Sequence, residues 1–409
     1  NRDHADAYGG DLMGSYVAYP RYKDSGVPWL GEIPAGWEVK RLKHIATVQP
    51  SNVDKKSEEN ETPVLLCNYS DVYNNGVINS AIEFMEATAT QREIEKFLLT
   101  AGDIIVTKDS ESPHDIAVPA YVAENFSNVL CGYHLSQIKP VSVSGEYLFR
   151  LFQSSQFNAQ FVVGANGVTR FGLPQYVINN AVICIPPLPE QQAIARFLDH
   201  KTAQIDALIA KKQALLDRLA EKRTSLITQA VTKGLDPSAP MKDSGVSWLG
   251  EIPVGREAKH IKYPGRIRYG LGDPPEAQDD GVAFIRATDI YRGSIDGSKV
   301  QRVNPDKVPW SRNPQLNAKD ILVVRSGAYT GDSAIVPKEW EGSIAGYDMI
   351  LTATDVVPEY LAYNLLSKHV LHGQIYLAKS RAAQPHLNAE ELGNILIAVP
   401  PISEQEKIQ

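Results

Sequence analysis

The sequence predicts a mixed α/β (α+β) protein in which two similar globular domains are joined by one long helix. Three observations support this fold class: a segment that recurs about 219 residues later, strand-like runs followed by a helical stretch in each copy, and a stretch without Gly or Pro between the copies. A repeat of two long copies is not a solenoid, which stacks three or more short units. It indicates duplicated domains that face a target with two similar halves.

The repeat is clearest near the start of each copy. Residues 23–43 (KDSGVPWLGEIPAGWEVKRLK) recur as residues 242–262 (KDSGVSWLGEIPVGREAKHIK), and 15 of 21 positions are identical. Within this block Arg256 stands where the first copy has Trp37. The predicted divisions are residues 1–15 as a tag or disordered leader, 16–185 as the first domain, 186–235 as the long helix, 236–399 as the second domain and 400–409 as the truncated start of a second helix.

Composition narrows the class of protein. The formal net charge is −7, which argues against general electrostatic adhesion to nucleic acid, so DNA binding would need local basic loops or a partner that shares the phosphate contacts. No apolar run reaches the roughly 18 residues of a membrane span and no secretory signal is present, so we expect a cytoplasmic protein without membrane partners. Cys67, Cys131 and Cys184 have no CxxC spacing and are expected to be reduced core residues.

Each copy begins with strands and ends with a helix and a last strand. Short β-branched runs broken by Pro, Gly and Asn, such as 104–106 and 321–324, are typical of buried strands. The expected elements in the two copies are strands at 104–106, 117–118, 121–122, 321–324 and 334–336, helical stretches at 146–157 and 359–371, and last strands at 181–185 and 395–399.

Residues 190–233 contain no Gly or Pro and carry apolar residues at three- and four-residue steps, which predicts one helix of about 65 Å. Gly234 is the expected C-cap. Lysines interrupt the apolar face, which favours an antiparallel partner helix with matching gaps. The apolar positions expected to contact a partner are Ile194, Leu198, Ile205, Leu208, Leu215, Leu219 and Leu226.

The partner helix is expected to start at residues 400–408 (PPISEQEKI), which match 186–194 (PPLPEQQAI). Ser403 and Glu406 have the spacing of a capping box. Because this second helix is truncated, we expect the chain to self-associate through residues 194–227.

The common catalytic motifs are missing. The sequence has no GxxxxGK[ST], HExxH or GxSxG, and no GxGxxG follows a strand. Residues 273–276 (DPPE) are similar to the DPPY loop of amino-methyltransferases but lack its aromatic residue, so we interpret them as a turn. We therefore expect a protein that is not an enzyme.

Basic residues mark candidate DNA contacts. A stretch at 259–269 combines Lys and Arg with two tyrosines, and matched loops at 164–175 and 378–388 each contain an arginine. Arg suits guanine, and Gln or Asn suits adenine. The alternative for the basic stretch is a solvated face, and the alternative for each loop is a polar connection that only reaches the last strand. The candidates are Asn68, Tyr69, Lys108, Arg170, Lys262, Arg266, Arg268, Arg286, Arg325, Arg381 and Gln384.

The chain resembles the specificity subunit of type I restriction-modification enzymes. The segments that carry the resemblance are the duplicated YKDSGVPWLGEIPAGW element, PPLPEQQAIARFLD, RTSLITQAVTKGLD and QPHLNAEELGNILIAVPP. The resemblance implies a non-catalytic protein with two target recognition domains, each reading one half of a bipartite DNA site. It also implies an antiparallel coiled coil of two conserved helices that sets the spacer length and docks methyltransferase subunits.

The resemblance further implies that this chain binds no cofactor. S-adenosylmethionine and ATP with Mg²⁺ are expected on partner subunits, and a restriction subunit is expected to join the complex. Two alternative classes make different predictions. A coiled-coil scaffold would show no salt-dependent binding to duplex DNA. A DNA-modifying enzyme would need a cofactor loop or a metal cluster, and the sequence shows a motif for neither.

Overall fold

A computed structural model describes residues 18–379 and 385–408 of the chain. The chain divides into two compact units, unit 1 up to Leu208 and unit 2 from Ile209 onward. The division falls inside one continuous helix of 46 residues, Leu188–Lys233. The finer domain boundaries proposed above remain predictions.

Unit 1 is a mixed α/β unit. Its strands are β1 (Tyr22–Asp24), β2 (Glu32–Pro34), β3 (Glu38–Arg41), β4 (Ala46–Pro50), β5 (Thr62–Cys67), β6 (Val77–Ile78), β7 (Met85–Ala89), β8 (Ile104–Thr107), β9 (Asp109–Ser110), β10 (Pro119–Val122), β11 (Val129–Cys131), β12 (Leu135–Pro140), β13 (Asn166–Gly167), β14 (Phe171–Gly172) and β15 (Val182–Ile185). Its helices are α1 (Tyr69–Asn74), α2 (Gln91–Phe97), α3 (Gly145–Phe152), α4 (Ser155–Gly164), α5 (Gln175–Asn180) and the start of α6 (Leu188–Lys233).

Unit 2 repeats this organisation. Its strands are β16 (Met241–Asp243), β17 (Glu251–Pro253), β18 (Glu257–His260), β19 (Gly265–Tyr269), β20 (Ala277–Ile285), β21 (Ile290–Tyr291), β22 (Ser294–Ile295), β23 (Gln301–Val303), β24 (Ile321–Val323), β25 (Ser333–Ile335), β26 (Ile344–Ala345), β27 (Met349–Ala353) and β28 (Leu396–Val399). After the end of α6 its helices are α7 (Pro358–Leu366), α8 (Lys368–Val370), α9 (Tyr376–Lys379), α10 (Ala389–Gly393) and α11 (Ile402–Ile408).

The central strand of each unit is buried on both faces. In unit 1 the sheet order is β4-β12-β8-β10-β6, and in unit 2 the matching order is β19-β27-β24-β25. Ile104 and Val106 of β8 enter one core cluster while Ile105 enters another. Side chains of β24 alternate between two clusters in the same way. Because successive side chains in a strand point to opposite faces, a strand packed on both sides is apolar throughout, which is the pattern seen in the sequence.

The expected helical stretches are shorter and more broken than predicted. The stretch at 146–157 splits into α3 and α4, because the Ser154 hydroxyl accepts from the Phe157 amide and caps a new helix. The stretch at 359–371 ends as a regular helix at Leu366 and continues as α8 and a π-helical turn. The expected strand at 117–118 is absent, since Ala117 has φ +58°.

The predicted long helix is confirmed as α6. Gly234 caps it with φ +85°, and its amide donates to the carbonyls of Gln229 and Ala230 at 3.1 and 3.2 Å. None of the helices in the described ranges combines the length and apolar character that crossing a bilayer requires.

The starts of α6 and α11 are held in the same way. Gln191 accepts from the Ser144 amide and donates to the Pro186 carbonyl, both at 2.8 Å. Gln405 makes the matching bonds with Val357 and Pro400, also at 2.8 Å. The Ser403 capping box is wrong, because α11 begins at Ile402 and Ser403 therefore lies inside its first turn.

The cysteines are free, as expected. Cys67 and Cys131 are buried and face each other on the paired strands β5 and β11, while Cys184 is half-buried. Burial raises the pKa of all three thiols.

Candidate nucleic-acid interface

In unit 1, Lys108 follows the buried strand β8 and lies over an exposed tyrosine. Its amine is 4.7 Å from the centre of the Tyr133 ring and donates to the Ser51 carbonyl at 3.3 Å. An ammonium group over an aromatic face is attracted by the negative face of the ring. The positive charge is therefore held in a defined place at the end of the strand.

Unit 2 has the matching arrangement with a different cation. The Arg325 guanidinium carbon lies 4.4 Å from the centre of the Tyr347 ring and 4.6 Å from that of Tyr269. Arg325 corresponds to Lys108 in the repeat, and Tyr347 corresponds to Tyr133. We call these two groups the cation–tyrosine sites: Lys108 with Tyr133 in unit 1, and Arg325 with Tyr347 and Tyr269 in unit 2.

Tyr133 and Tyr347 each follow a glycine that holds the backbone close to a neighbouring strand. Gly132 and Gly346 donate their amides to the carbonyls of Cys67 and Ile285 at 2.9 and 2.7 Å. A Cβ atom at either glycine would come within 2.8 or 2.9 Å of the same carbonyl oxygen. Only glycine allows this close approach of two strands. Tyr133 and Tyr347 were missed in the sequence analysis. The Gly-Tyr pair that recurs in both copies was the signal that could have identified them.

The polar groups around the two sites differ. In unit 1, His134 Nδ1 lies 2.6 Å from a carboxylate oxygen of Asp109 and 3.4 Å from the Arg170 guanidinium. Burial is the main cause that raises the pKa of the Tyr69 hydroxyl, and the charges of Arg170 and Asp109 also act on this hydroxyl. The structure therefore brings three of the candidates, Tyr69, Lys108 and Arg170, into one group around His134.

In unit 2 the position of His134 is taken by Asp348. Its carboxylate accepts from the Arg325 amide at 3.3 Å, and burial raises the pKa of Asp348 to about 6. His386 lies 3.2 Å from the Arg325 guanidinium and 2.8 Å from the Ser326 hydroxyl. The two sites thus share a stacked cation and differ in the groups that surround it.

Asn68 and Arg286 occupy matched positions at the start of a helical turn. Their backbone amides donate to the carboxylates of Asp71 and Asp289 at 2.7 and 2.9 Å. Asn68 is buried, and the Arg286 guanidinium also bonds Asp289 and the Lys299 carbonyl. Both side chains are therefore engaged locally, which leaves their proposed DNA contacts with less support than Lys108 and Arg325.

The basic stretch of unit 2 separates into different roles. Arg266 is exposed on β19, and Lys262 bonds Asn394 at 2.9 Å. Arg268 instead has all its nitrogens engaged, with an ion pair to buried Asp320 at 2.9 Å and bonds to Thr352 and two carbonyls. We therefore reassign Arg268 from DNA contact to the structure of unit 2. Arg381 and Gln384 lie outside the described residues, and their roles remain predictions.

The α6 surface is mainly apolar and exposed along the predicted face. Ile194 is the exception at one end, since it packs against a core cluster of unit 1, and Leu198 is half-buried. The residues of this face that are more than half exposed, which we call the α6 stripe, are Ile205, Leu208, Leu215, Leu219 and Leu226. An apolar stripe of this length is typical of an interface.

Within residues 18–379 and 385–408, no three His, Cys, Asp or Glu side chains form a group that could hold a metal ion. The described residues thus form two matched cation–tyrosine sites and an exposed helix face.

The family described as the type I restriction modification DNA specificity domain matches residues 34–218 and 275–409 of the chain. The chain belongs to this family. Its members recognise DNA sequence for type I restriction-modification systems, and the reading as a scaffold without sequence-specific DNA binding is not favoured.

Curated relatives extend over most of the chain. A putative type I restriction enzyme MjaX specificity subunit of Methanocaldococcus jannaschii is 24% identical over 395 residues, which covers 93% of this chain and 86% of the relative. The EcoKI specificity subunit of Escherichia coli K12 is 20% identical over 396 residues, covering 92% and 82%.

Solved structures show the same fold. A chain from a study of complex assembly and conformational transition in a type I R-M system matches with a TM-score of 0.64 at 17% identity, covering 92% of this chain and 88% of that one. The HsdS subunit of Thermoanaerobacter tengcongensis matches with a TM-score of 0.51 at 18% identity and the same coverage. The mixed fold with a long helix predicted from the sequence is thereby confirmed.

Proposed function

We propose that unit 1 and unit 2 read two different halves of a bipartite DNA target, and that the cation–tyrosine sites contact the DNA. One observation carries this proposal: both units place a cation on a Gly-Tyr tyrosine at the end of the same buried strand. The matched position supports a shared role, and the change from Lys108 to Arg325 supports different targets.

The chemistry of the two sites suits base edges or phosphates. Tyr133 and Tyr347 are 47% and 49% exposed, so each cation lies near the surface of its unit. Arginine presents planar donors that match guanine bidentately, whereas lysine acts as a compact charge. Arg170 in unit 1 and Arg266 in unit 2 would add contacts beside these sites.

The other parts of the chain would serve assembly. We propose that α6 sets the spacing between the half-sites and that its exposed stripe docks methyltransferase subunits in the cytoplasm. In this proposal the chain itself catalyses no reaction. S-adenosylmethionine is bound by the methyltransferase subunits, and ATP with Mg²⁺ is bound by a restriction subunit that joins them. In the free chain the same stripe would support self-association.

The test is methylation mapping in cells that carry the partner subunits and either the wild-type chain or the Arg325→Ala variant. The variant should relax preference at one base of one half-site, with a loss of about 1 to 3 kcal/mol for a bidentate contact. Lys108→Ala should affect only the other half-site.

Two control variants make this test specific. Lys96 lies 4.7 Å from the Phe97 ring centre in unit 1, so Lys96→Ala removes a similar stack elsewhere and should leave methylation unchanged. Arg312→Ala removes an exposed arginine of unit 2. An equal loss at every sequence would reassign Arg325 to phosphate binding, and unchanged methylation in both site variants would contradict the proposal.

A further inference from the structure

Two surface hairpins are nearly identical in the two units. Residues 23–34 and 242–253 differ only at Pro28, which is Ser247 in the second copy. Hairpin β1–β2 pairs Lys23 with Ile33, and hairpin β16–β17 pairs Lys242 with Ile252 in the same register. Each hairpin therefore presents the same residues in the same backbone geometry.

Folding explains part of this identity. The Asp24 carboxylate accepts from the Gly26 amide at 2.9 Å, and Asp243 does the same for Gly245 at 3.0 Å. The isoleucines that point inward, Ile33 and Ile252, are buried. These turn and core positions must be kept for the hairpin to form.

The tryptophans keep exposed surface that folding does not use, although the Trp248 ring also stacks on the His369 ring, with 6.0 Å between ring centres. Trp29 and Trp248 are 44% and 42% exposed at the hairpin turns. Glu32 and Glu251 are also exposed. Exposed tryptophan is enriched where one protein anchors itself in a pocket of another.

The cation–tyrosine sites differ between the units, whereas the hairpins do not. Lys108 is replaced by Arg325 and His134 by Asp348, as expected for surfaces that read different half-sites. A surface that meets the same partner twice has no such reason to diverge. The identical hairpins therefore point to one kind of partner bound once by each unit.

We infer that the two hairpins dock two copies of one protein, with Trp29 and Trp248 as the anchors. The inference rests on the proposed function, since the partner is the methyltransferase subunit of that proposal. DNA does not suit the surface, because each hairpin exposes two carboxylates against one lysine and is therefore net acidic. The carboxylates are Asp24 with Glu32 and Asp243 with Glu251, and the lysines are Lys23 and Lys242. The matching site on the partner is an apolar pocket for an indole ring beside a cationic side chain.

Each hairpin lies next to one end of α6. In unit 1, Tyr19 at the base of the hairpin donates its hydroxyl to Glu190 in the first turn of α6. In unit 2, the Lys233 amine at the end of α6 donates to the Glu251 carbonyl. A subunit that binds the helix surface can therefore reach the hairpin of the same unit.

The experiment uses the full chain with purified methyltransferase subunit and counts bound subunits by native mass spectrometry. The wild-type chain should bind two. Trp29→Ala and Trp248→Ala should each retain one tightly bound subunit and weaken the other at least tenfold, and the double variant should weaken both. Glu32→Lys with Glu251→Lys should give the same loss without touching a turn or core position.

Trp310 provides the matched control. It is 44% exposed in unit 2 outside the repeated hairpin, so Trp310→Ala should retain two subunits. Unchanged melting temperature and unchanged DNA binding of the free variants would show that they are folded. Two subunits bound with wild-type affinity by the double tryptophan and double glutamate variants would overturn the hairpin docking alone. A wild-type chain that binds no methyltransferase subunit would overturn the proposed assembly function together with it.

Discussion

The guanidinium of Arg256 forms an ion pair with the carboxylate of Glu404 at 2.5 Å. Arg256 is fully buried, and it also donates to the Val231 and Ala230 carbonyls at 2.7 and 3.0 Å. It thus joins the last turn of α6 to the first turn of α11. In unit 1 the equivalent residue, Trp37, donates its indole N–H to Glu190 at 3.2 Å.

Removing this arginine should destabilise unit 2. We expect Arg256→Ala to lower the free energy of unfolding by about 3 kcal/mol, because the half-buried carboxylate of Glu404 and two helix carbonyls lose their buried partner. Arg256→Trp should cost less, since the indole can donate to Glu404 as Trp37 does to Glu190. Lys259→Ala breaks only the exposed pair with Glu257 and should leave stability nearly unchanged, because solvent screens that pair. Chemical denaturation measures all three, and equal losses would contradict the assignment.

Asp348 should make the stability of unit 2 depend on pH. Burial raises the pKa of its carboxyl in the folded state to about 6, above the usual value near 4 of the unfolded chain. The folded state therefore binds the proton more tightly, and stability is lost as the pH rises from about 4 to about 6. Asp348→Asn should stabilise unit 2 by about 3 kcal/mol at pH 8 and by little at pH 4.

Thermal unfolding of wild type and variant across this pH range measures the effect. Asp279→Asn changes an exposed carboxylate and serves as the control. A stabilisation of the same size at pH 4 and pH 8 would show that the effect does not come from ionisation of Asp348.

Charges on the exposed face of α6 should block assembly without unfolding the chain. Leu208 and Leu215 are more than half exposed, so Leu208→Glu with Leu215→Glu costs little burial on folding. The variant should lose methyltransferase binding and self-association, because the carboxylates would be buried in those interfaces. Ala210→Glu lies on the opposite side of the helix and should retain both. Sedimentation measures assembly and circular dichroism measures folding; assembly that is unchanged in the double variant would exclude this face.

Two arginines on β19 should behave differently although they share one face of the strand. Arg268→Ala removes the partner of buried Asp320 and should destabilise unit 2 by about 3 kcal/mol without changing sequence preference. Arg266→Ala should leave stability unchanged and weaken DNA binding on every sequence, with a salt dependence reduced by about one phosphate contact. Melting curves and salt titrations of DNA binding separate the two effects, and the reverse pattern would contradict the assignments.

The fold was largely predictable because its signals are local or repeated. The doubly buried strands β8 and β24 are apolar runs, and α6 carries apolar residues at helical spacing over a stretch without Gly or Pro until the helix ends. The break at Ser154 was missed because a capping serine was read as part of a helical stretch. The sequence therefore indicates whether a segment is a helix or a strand more securely than it indicates the residues at which that segment begins and ends.

The site was only partly predictable because its contacts join residues far apart in the chain. Lys108 and Arg325 were proposed from matched strand ends, but the stacking of Arg325 on Tyr269 joins residues 56 positions apart. The ion pair of Arg268 with Asp320 spans 52 positions and turned a candidate DNA contact into a structural residue. Pairings of this kind depend on the sheet order, which the sequence pattern does not specify.

Packing on both sides of β8 and β24 has a consequence for how new target preferences arise. The backbone that carries residues 108 and 325 is fixed by two independent cores, while the side chains themselves lie outside both. If these residues contact DNA as proposed, a substitution at either position would change the chemical group offered to the DNA without repacking the interior. Each unit would then acquire a different sequence preference in a single mutational step, while its partner-binding surfaces stay as they are.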